Sequence, residues 1–299
     1  MDQKTTKLNN KTINIINQFI QLWNDLKNNT PITKYKYSIK SKILFTLQLL
    51  SIEIAITYII VLIFPLLFSI IKYDDSNHAI TKALDDQNYS KWILFVEAVI
   101  IGPIIEELVF RLGLVNKRIN FQISFILVFF FCIYDSLAKL GNVGISFGIS
   151  ILILSIILIF LHKMKLIERI YSYNIRILYF ASIIIFGFIH TTNYENATIW
   201  VYLISPILVL PQLIGGVTLL FLRVKYGLIY AIASHMMYNG IGLIGELYYP
   251  PSTKPNVQYT ELDYKNYAIA ENIGNFFVIL GFTVLIITYI NYRTQQQSE

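Results

Sequence analysis

The sequence has little of what a water-soluble enzyme is built from. Only 14% of its 299 residues are charged, against about 25% in soluble domains, so water is not its main solvent. A single cysteine, Cys132, excludes an intrachain disulfide; set in an apolar run, it reads as packing. No HExxH helix is present, which removes the commonest zinc-peptidase spacing. No serine nucleophile elbow is expected and no cysteine stands where a nucleophile would be activated, so covalent catalysis is disfavoured. The first 40 residues contain no signal-peptide core or cleavage site, and the first hydrophobic span is expected to act as an uncleaved anchor. There is no internal repeat, low-complexity tract or second domain.

What is present is apolar. Hydrophobic residues make up 55% of the chain, with 20 Phe and 21 Tyr, and the mean hydropathy is +0.57. The aromatics suit bilayer cores and interfacial belts. The expected fold is all-α, a polytopic transmembrane helical bundle. Eight spans are long enough, or nearly so, for a bilayer that needs about 20 helical residues. They lie at roughly 43–71, 92–115, 121–138, 145–162, 177–190, 199–222, 226–246 and 273–291. Ahead of them, Ile13, Ile15, Ile16, Phe19, Ile20, Leu22 and Trp23 recur as in an amphipathic helix lying on the membrane face; a partner-binding arm is the other reading.

The net charge of +6 reflects an uneven loop distribution and does not call for nucleic acid. The N-terminal arm is basic, 73–91 is acidic, Lys117 and Arg118 follow the second span, and Arg223 and Lys225 follow the sixth. Segment 247–272 is again acidic. Every second loop carries the excess of Lys and Arg, which places both termini in the cytoplasm. The richness in Ile, Lys and Asn suggests an AT-rich, low-GC bacterium and a cell-membrane protein. Four segments follow: a cytoplasmic or interfacial arm at 1–42, the first span with its acidic loop at 43–91, a core at 92–246, and a final acidic loop, span and tail at 247–299.

Charges inside the spans are costly, a few kcal/mol each on insertion scales, and mark function by default. Glu106 and Glu107 are adjacent in the second span, with Arg111 four residues after Glu107. Glu107 and Arg111 share a helix face and can pair. Glu106 points about 100° away and is free to face a cavity. Pro103 removes a donor from the Val99 carbonyl, and a kink there opens room beside Glu106. His190 ends the fifth span, and His235 and Asn239 lie one turn apart on one face of the seventh. Each has a plain structural reading as a satisfied polar contact between helices. Taken together, a carboxylate base, an imidazole and further donors are what hydrolysis by activated water requires. Glu106, His190 and His235 are also a conceivable zinc set. Glu53, Glu97, Gln212 and Glu246 have no assigned role.

The three clusters Glu106-Glu107-x-x-x-Arg111, Phe186-x-x-x-His190 and His235-x-x-x-Asn239 resemble the signature of the CAAX protease and bacteriocin-processing family of intramembrane endopeptidases, also called the Abi family. The stretch from Gly215-Gly216 through Arg223-x-Lys225-Tyr226-Gly227-Leu228 resembles the family's link into its last core helix. The resemblance spans roughly residues 92–246. It implies Glu106 as general base on the attacking water, His190 as a water ligand, His235 and Asn239 lining the oxyanion site, and Glu107 with Arg111 supporting the helix. It leaves open whether zinc takes part.

The resulting expectation is an intramembrane endopeptidase, a hydrolase acting in the lipid bilayer. Its substrate would be a membrane-associated peptide or protein: a prenylated-type tail, a pheromone or a bacteriocin precursor. The alternatives are a non-catalytic bacteriocin-immunity or regulatory scaffold of the same fold, and a proton-coupled transporter, which would call for an inverted repeat that the sequence lacks. One tension stands. Counted along their spans, Glu106 and His190 lie at opposite depths, so either the helices are offset and tilted or a segment between 121 and 162 is re-entrant.

Overall fold

A computed structural model describes residues 15–27, 37–74, 77–85, 90–115, 118–138, 149, 153, 175–247 and 260–297. Among these there are helices and turns and no strand. Three helical stretches are long and apolar enough to cross a membrane: Ile39–Ile71, Ile199–Lys225 and Tyr264–Thr294. Ile119–Val128 and Leu228–Ile244 are shorter apolar helices. The expected span at 145–162 lies outside the described residues, apart from two helical positions.

Helix α1, Ile15–Lys27, forms where the amphipathic pattern called for it, with Ile15, Gln18, Leu22 and Leu26 on its buried face. That face does not simply rest on lipid. Phe19 stacks on Phe221 at 4.3 Å, Trp23 meets Phe180 edge-on, and the Tyr226 hydroxyl donates to Gln18 Oε1 at 2.8 Å. The arm is docked on the bundle.

The first expected span is two helices, α2 at Ile39–Val61 and α3 at Phe64–Ile71. Helix α2 starts four residues earlier than the apolar run because the Ser38 side chain caps it, accepting from the Ser41 amide. The break falls just before Pro65, in the first turn of α3, where a missing amide costs nothing. After α4, Ala79–Asp85, the second expected span is itself divided. It runs as α5 at Lys91–Phe95, a π-helical turn at Val96–Ile101, α6 at Gly102–Phe110 and a 3-10 turn at Leu112–Leu114. Then come α7, Arg118–Ala138, and α8, Ile175–Ile189, with a 3-10 turn at His190–Asn193.

The sixth expected span divides too, into α9 at Ile199–Leu208 and α10 at Leu210–Lys225. Pro206 lies inside α9 and Pro211 opens α10, so two prolines interrupt the ladder around Val209. Helix α11, Leu228–Leu247, follows the turn at Gly227, whose φ of 118° suits a residue without Cβ. The last helix, α12, runs over Glu261–Gln297 and takes in much of the acidic segment that charge alone had marked as loop. No proline follows Pro255, so nothing stops polar residues from continuing the helix.

Helix α10 is the centre of the bundle. Every residue from Thr218 to Tyr226 is buried, as expected for a helix surrounded by others. It packs against α2, α8 and α11, and α12 lies along α2. Small residues permit these approaches: a Cβ at Gly187 would strike Leu213, and one at Gly281 would strike the Ser51 carbonyl. Outward, α2, α9 and α12 expose Ile59, Val61, Leu203, Ile279, Ile286 and Ile290. A surface of that kind belongs in lipid, and the chain is an integral membrane protein.

Arg223 and Lys225, which belong to a basic loop on charge counting alone, are buried, at 9% and 6% exposure. Arg223 Nε and a terminal nitrogen donate to the carbonyls of Arg111 and Leu112, both at 2.9 Å. They cap the carbonyl end of α6, where a cation is favoured. Lys225 Nζ lies 3.8 Å from Asp25 of α1.

Candidate active site

The site is built on α6, α8 and α11. Glu107 and Arg111 form the expected pair on α6, with 3.0 Å between Oε1 and the guanidinium and neither side chain exposed. His235 from α11 joins them, its Nδ1 3.1 Å from the same Glu107 oxygen. A carboxylate only accepts, so Nδ1 carries the proton and donates. Glu106 faces the other way. A third of its side chain is exposed, and Oε2 lies 3.7 Å from His235 Nε2 and 4.0 Å from His190 Nε2. His190 is oriented from behind as well: its Nδ1 donates to the Phe186 carbonyl at 2.7 Å. Both imidazoles therefore spend Nδ1 as donor and, when neutral, turn an accepting Nε2 toward Glu106.

Glu106 and His190 thus meet despite their places in the sequence. The division of the second expected span helps, because α6 ends at Phe110 and does not run on as one straight rod. The 3-10 turn carrying His190 is in turn fastened to the segment before α4. The Glu195 amide donates to the Asn77 carbonyl, the Asn196 amide donates to Asn77 Oδ1, and Lys82 pairs with Glu195 at 2.6 Å. The re-entrant alternative falls mostly on residues outside those described.

Asn239 lies near the site by way of the backbone. Sequence spacing assigned the effect of Pro103 to the Val99 carbonyl, but the π-turn moves it by one residue. The Gly102 amide donates to the Glu97 carbonyl, five residues back. The Ala98 carbonyl would then look to residue 103, a proline without N–H. Asn239 Nδ2 supplies that donor at 2.9 Å. The widened turn, rather than a simple proline kink, sets the direction in which α6 presents Glu106.

Phe186, quoted above only as the first letter of its motif, has a part of its own in the site. Its ring lies 3.8 Å from the Arg111 guanidinium carbon, a cation–π contact, and stands edge-on to His190 and His235. It walls off the buried charge from the half-open side. The four-residue step from Phe186 to His190 held the signal, since it puts ring and imidazole on one face. Ser182, one turn earlier, donates to the Phe110 carbonyl at 2.9 Å and ties α8 to the end of α6.

Several buried polar atoms here have no partner among the described residues: Glu106 Oε2, Glu107 Oε2, Arg111 Nε and one terminal nitrogen, Gln212 Oε1 and Ser234 Oγ. Buried groups of this kind are ordinarily satisfied by internal water. The possible zinc set does not fit as placed: among the described residues no three His, Cys, Asp or Glu side chains are gathered so as to hold a metal ion. Glu97 is exposed, and the Glu246 side chain lies outside the described residues. One stretch needs a correction. Gly144-Ile145-Ser146-Phe147-Gly148 matches the letters of the serine nucleophile elbow, which the sequence had seemed to lack. The elbow requires a strand feeding a helix, and these residues lie outside those described, in a chain with no strand among the described ones.

A family model for Rce1-like type II CAAX prenyl endopeptidases matches residues 88–241, just over half of the chain. No curated protein and no solved structure matches it. The matched segment runs from the residues just before α5 to the middle of α11, and so takes in every side chain that converges on Glu106. On that match the chain belongs to the Rce1-like family of type II CAAX prenyl endopeptidases, a family of membrane proteases.

Proposed function

We propose that the protein is an intramembrane endopeptidase that hydrolyses its substrate with a water molecule activated by Glu106. The observation that carries this reading is the convergence of three accepting atoms, Glu106 Oε2 and the Nε2 atoms of His190 and His235, at 3.7 and 4.0 Å. These separations are too long for direct hydrogen bonds and suit a bridging water. A water there donates one proton to Glu106 and the other to an imidazole. Its oxygen attacks the scissile carbonyl as Glu106 takes the proton, and Glu106 then returns that proton to the leaving amine. His190 holds the water. His235 and Asn239 line the oxyanion side: Asn239 has a second N–H beyond the one given to Ala98, and the His235 ring is held there by its Nδ1–H bond to Glu107. Glu107 and Arg111 hold the helix and the ring.

The substrate is a peptide or protein tail at the membrane: a prenylated-type tail, a pheromone or a bacteriocin precursor. Residues 92–246 form the catalytic core of an eight-span chain in a bacterial cell membrane, with both termini cytoplasmic. No step runs through a metal, so purified protein keeps cleaving after chelation; a stoichiometric bound metal whose removal abolishes cleavage would overturn this mechanism. Replacing Glu106 with Ala separates the enzyme from the scaffold of the same fold. The enzyme loses its cellular phenotype, while an immunity or regulatory scaffold keeps it.

A further inference from the structure

Glu53 lies on α2, outside the matched segment, and the mechanism above gives it no work. It is 4% exposed, and a carboxyl buried between membrane helices is expensive unless its neighbours receive it. Helix α10 is shaped to do so. A Cβ at Gly215 would stand 2.9 Å from Glu53 Oε1, so only glycine leaves the carboxyl its place. Thr218, on the same face of α10, adjoins it. One turn along α2, Thr57 shares the face of Glu53 and receives the Tyr238 hydroxyl at 3.3 Å. Tyr238 belongs to α11 and stands between His235 and Asn239. One face of α2 therefore holds two helices at once: α10 through Glu53, and α11 through Thr57, beside the residues that serve the site.

We infer that Glu53 is a positioning residue for the hydrolytic site: with Thr57 it fixes α11 against α10, and so fixes the reach of His235 to Glu106. This rests on the hydrolytic reading above. Its action is one of shape and hydrogen bonding, so an isosteric amide replaces it. Small displacements of a catalytic group are enough to matter, since 1 Å can cost on the order of 10²-fold in rate.

The test uses full-length protein in detergent or nanodiscs with Glu53→Gln, Glu53→Leu and Tyr238→Phe. Two readouts are taken: steady-state cleavage of a prenylated peptide, and modification of His235 by diethylpyrocarbonate followed by mass spectrometry, with His78 as internal reference. His235 is 6% exposed and reacts slowly in the native protein. Glu53→Leu lowers kcat by on the order of 10²-fold with KM within about twofold and raises His235 labelling relative to His78. Glu53→Gln stays near wild type in both. Tyr238→Phe, which disturbs packing least and keeps the test open if Glu53→Leu does not fold, lowers kcat by about fivefold, the worth of one hydrogen bond. The proposal is overturned if Glu53→Leu, or Tyr238→Phe where Glu53→Leu does not fold, leaves both readouts at wild-type values. It is equally overturned if Glu53→Gln is as damaged as Glu53→Leu, because charge would then be what matters. If wild type cleaves nothing, the hydrolytic reading fails, and the labelling alone still decides whether Glu53 positions His235.

Discussion

Glu106 and Glu107 are neighbours on one helix and live in different worlds. Glu107 is sealed, with Arg111 and His235 sharing one of its oxygens. Glu106 keeps a third of its side chain open and makes no bond shorter than 3.7 Å to either histidine. One helical step separates a carboxylate locked into an ion pair from one that, in the proposed mechanism, is free to act. The sealed side holds its groups in fixed directions, and the other side leaves one carboxylate partly exposed. Buried ion pairs contribute little net stability but are severe to break, so the two carboxylates should fail in different ways when replaced.

Glu106→Gln should cost the most in activity, on the order of 10³-fold or more, within and above the range of a lost general base, with no loss of thermal stability. Cleavage assays set beside thermal unfolding in detergent would separate the two effects. Glu107→Ala should do the reverse first: it strands Arg111 and costs about 3–5 kcal/mol of stability, read as lower yield and a lower unfolding temperature. Replacing the pair together, Glu107→Leu with Arg111→Met, should recover much of that stability yet leave the protein inactive, because His235 loses the acceptor that orients it. If the double variant cleaves well, the sealed side is not what directs the ring. Phe186→Leu should be milder, removing about 0.5–2 kcal/mol of cation–π contact and shifting the unfolding temperature by a few degrees. Smallest is Lys82→Ala at the exposed pair with Glu195: about 0.2–1 kcal/mol, and no change in kcat.

Much of this contrast was legible in the chain. A four-residue step from Glu107 to Arg111 and a 100° turn to Glu106 follow from helical geometry alone, and the intramembrane charges stand out against their surroundings because lipid excludes them. What was not legible depends on register and on contacts between distant segments. Pro103 announced a lost hydrogen bond, but whether Val99 or Ala98 loses it is decided by a π-turn that hydropathy cannot see, and the donor that answers it comes from Asn239, 141 positions beyond Ala98. Arg223 looked like a loop cation because its charge was counted before its partners, the carbonyls closing α6, were known. The breaks at Val209 and before Pro65 were missed for a related reason: an apolar window reports lipid compatibility, not helix continuity. Glu53 carried no spacing signal at all, since its receiver is the empty side of a glycine on another helix.

The measurement that bears most directly on the role of Glu106 is comparative mass spectrometry of membranes from cells expressing the wild-type chain or Glu106→Ala at equal levels. A hydrolytic site leaves a set of cleaved peptide or protein tails in the wild-type membranes that are absent, with uncut precursors accumulated, in the variant. Identical fragment profiles from the two, with both proteins folded and inserted, would contradict it.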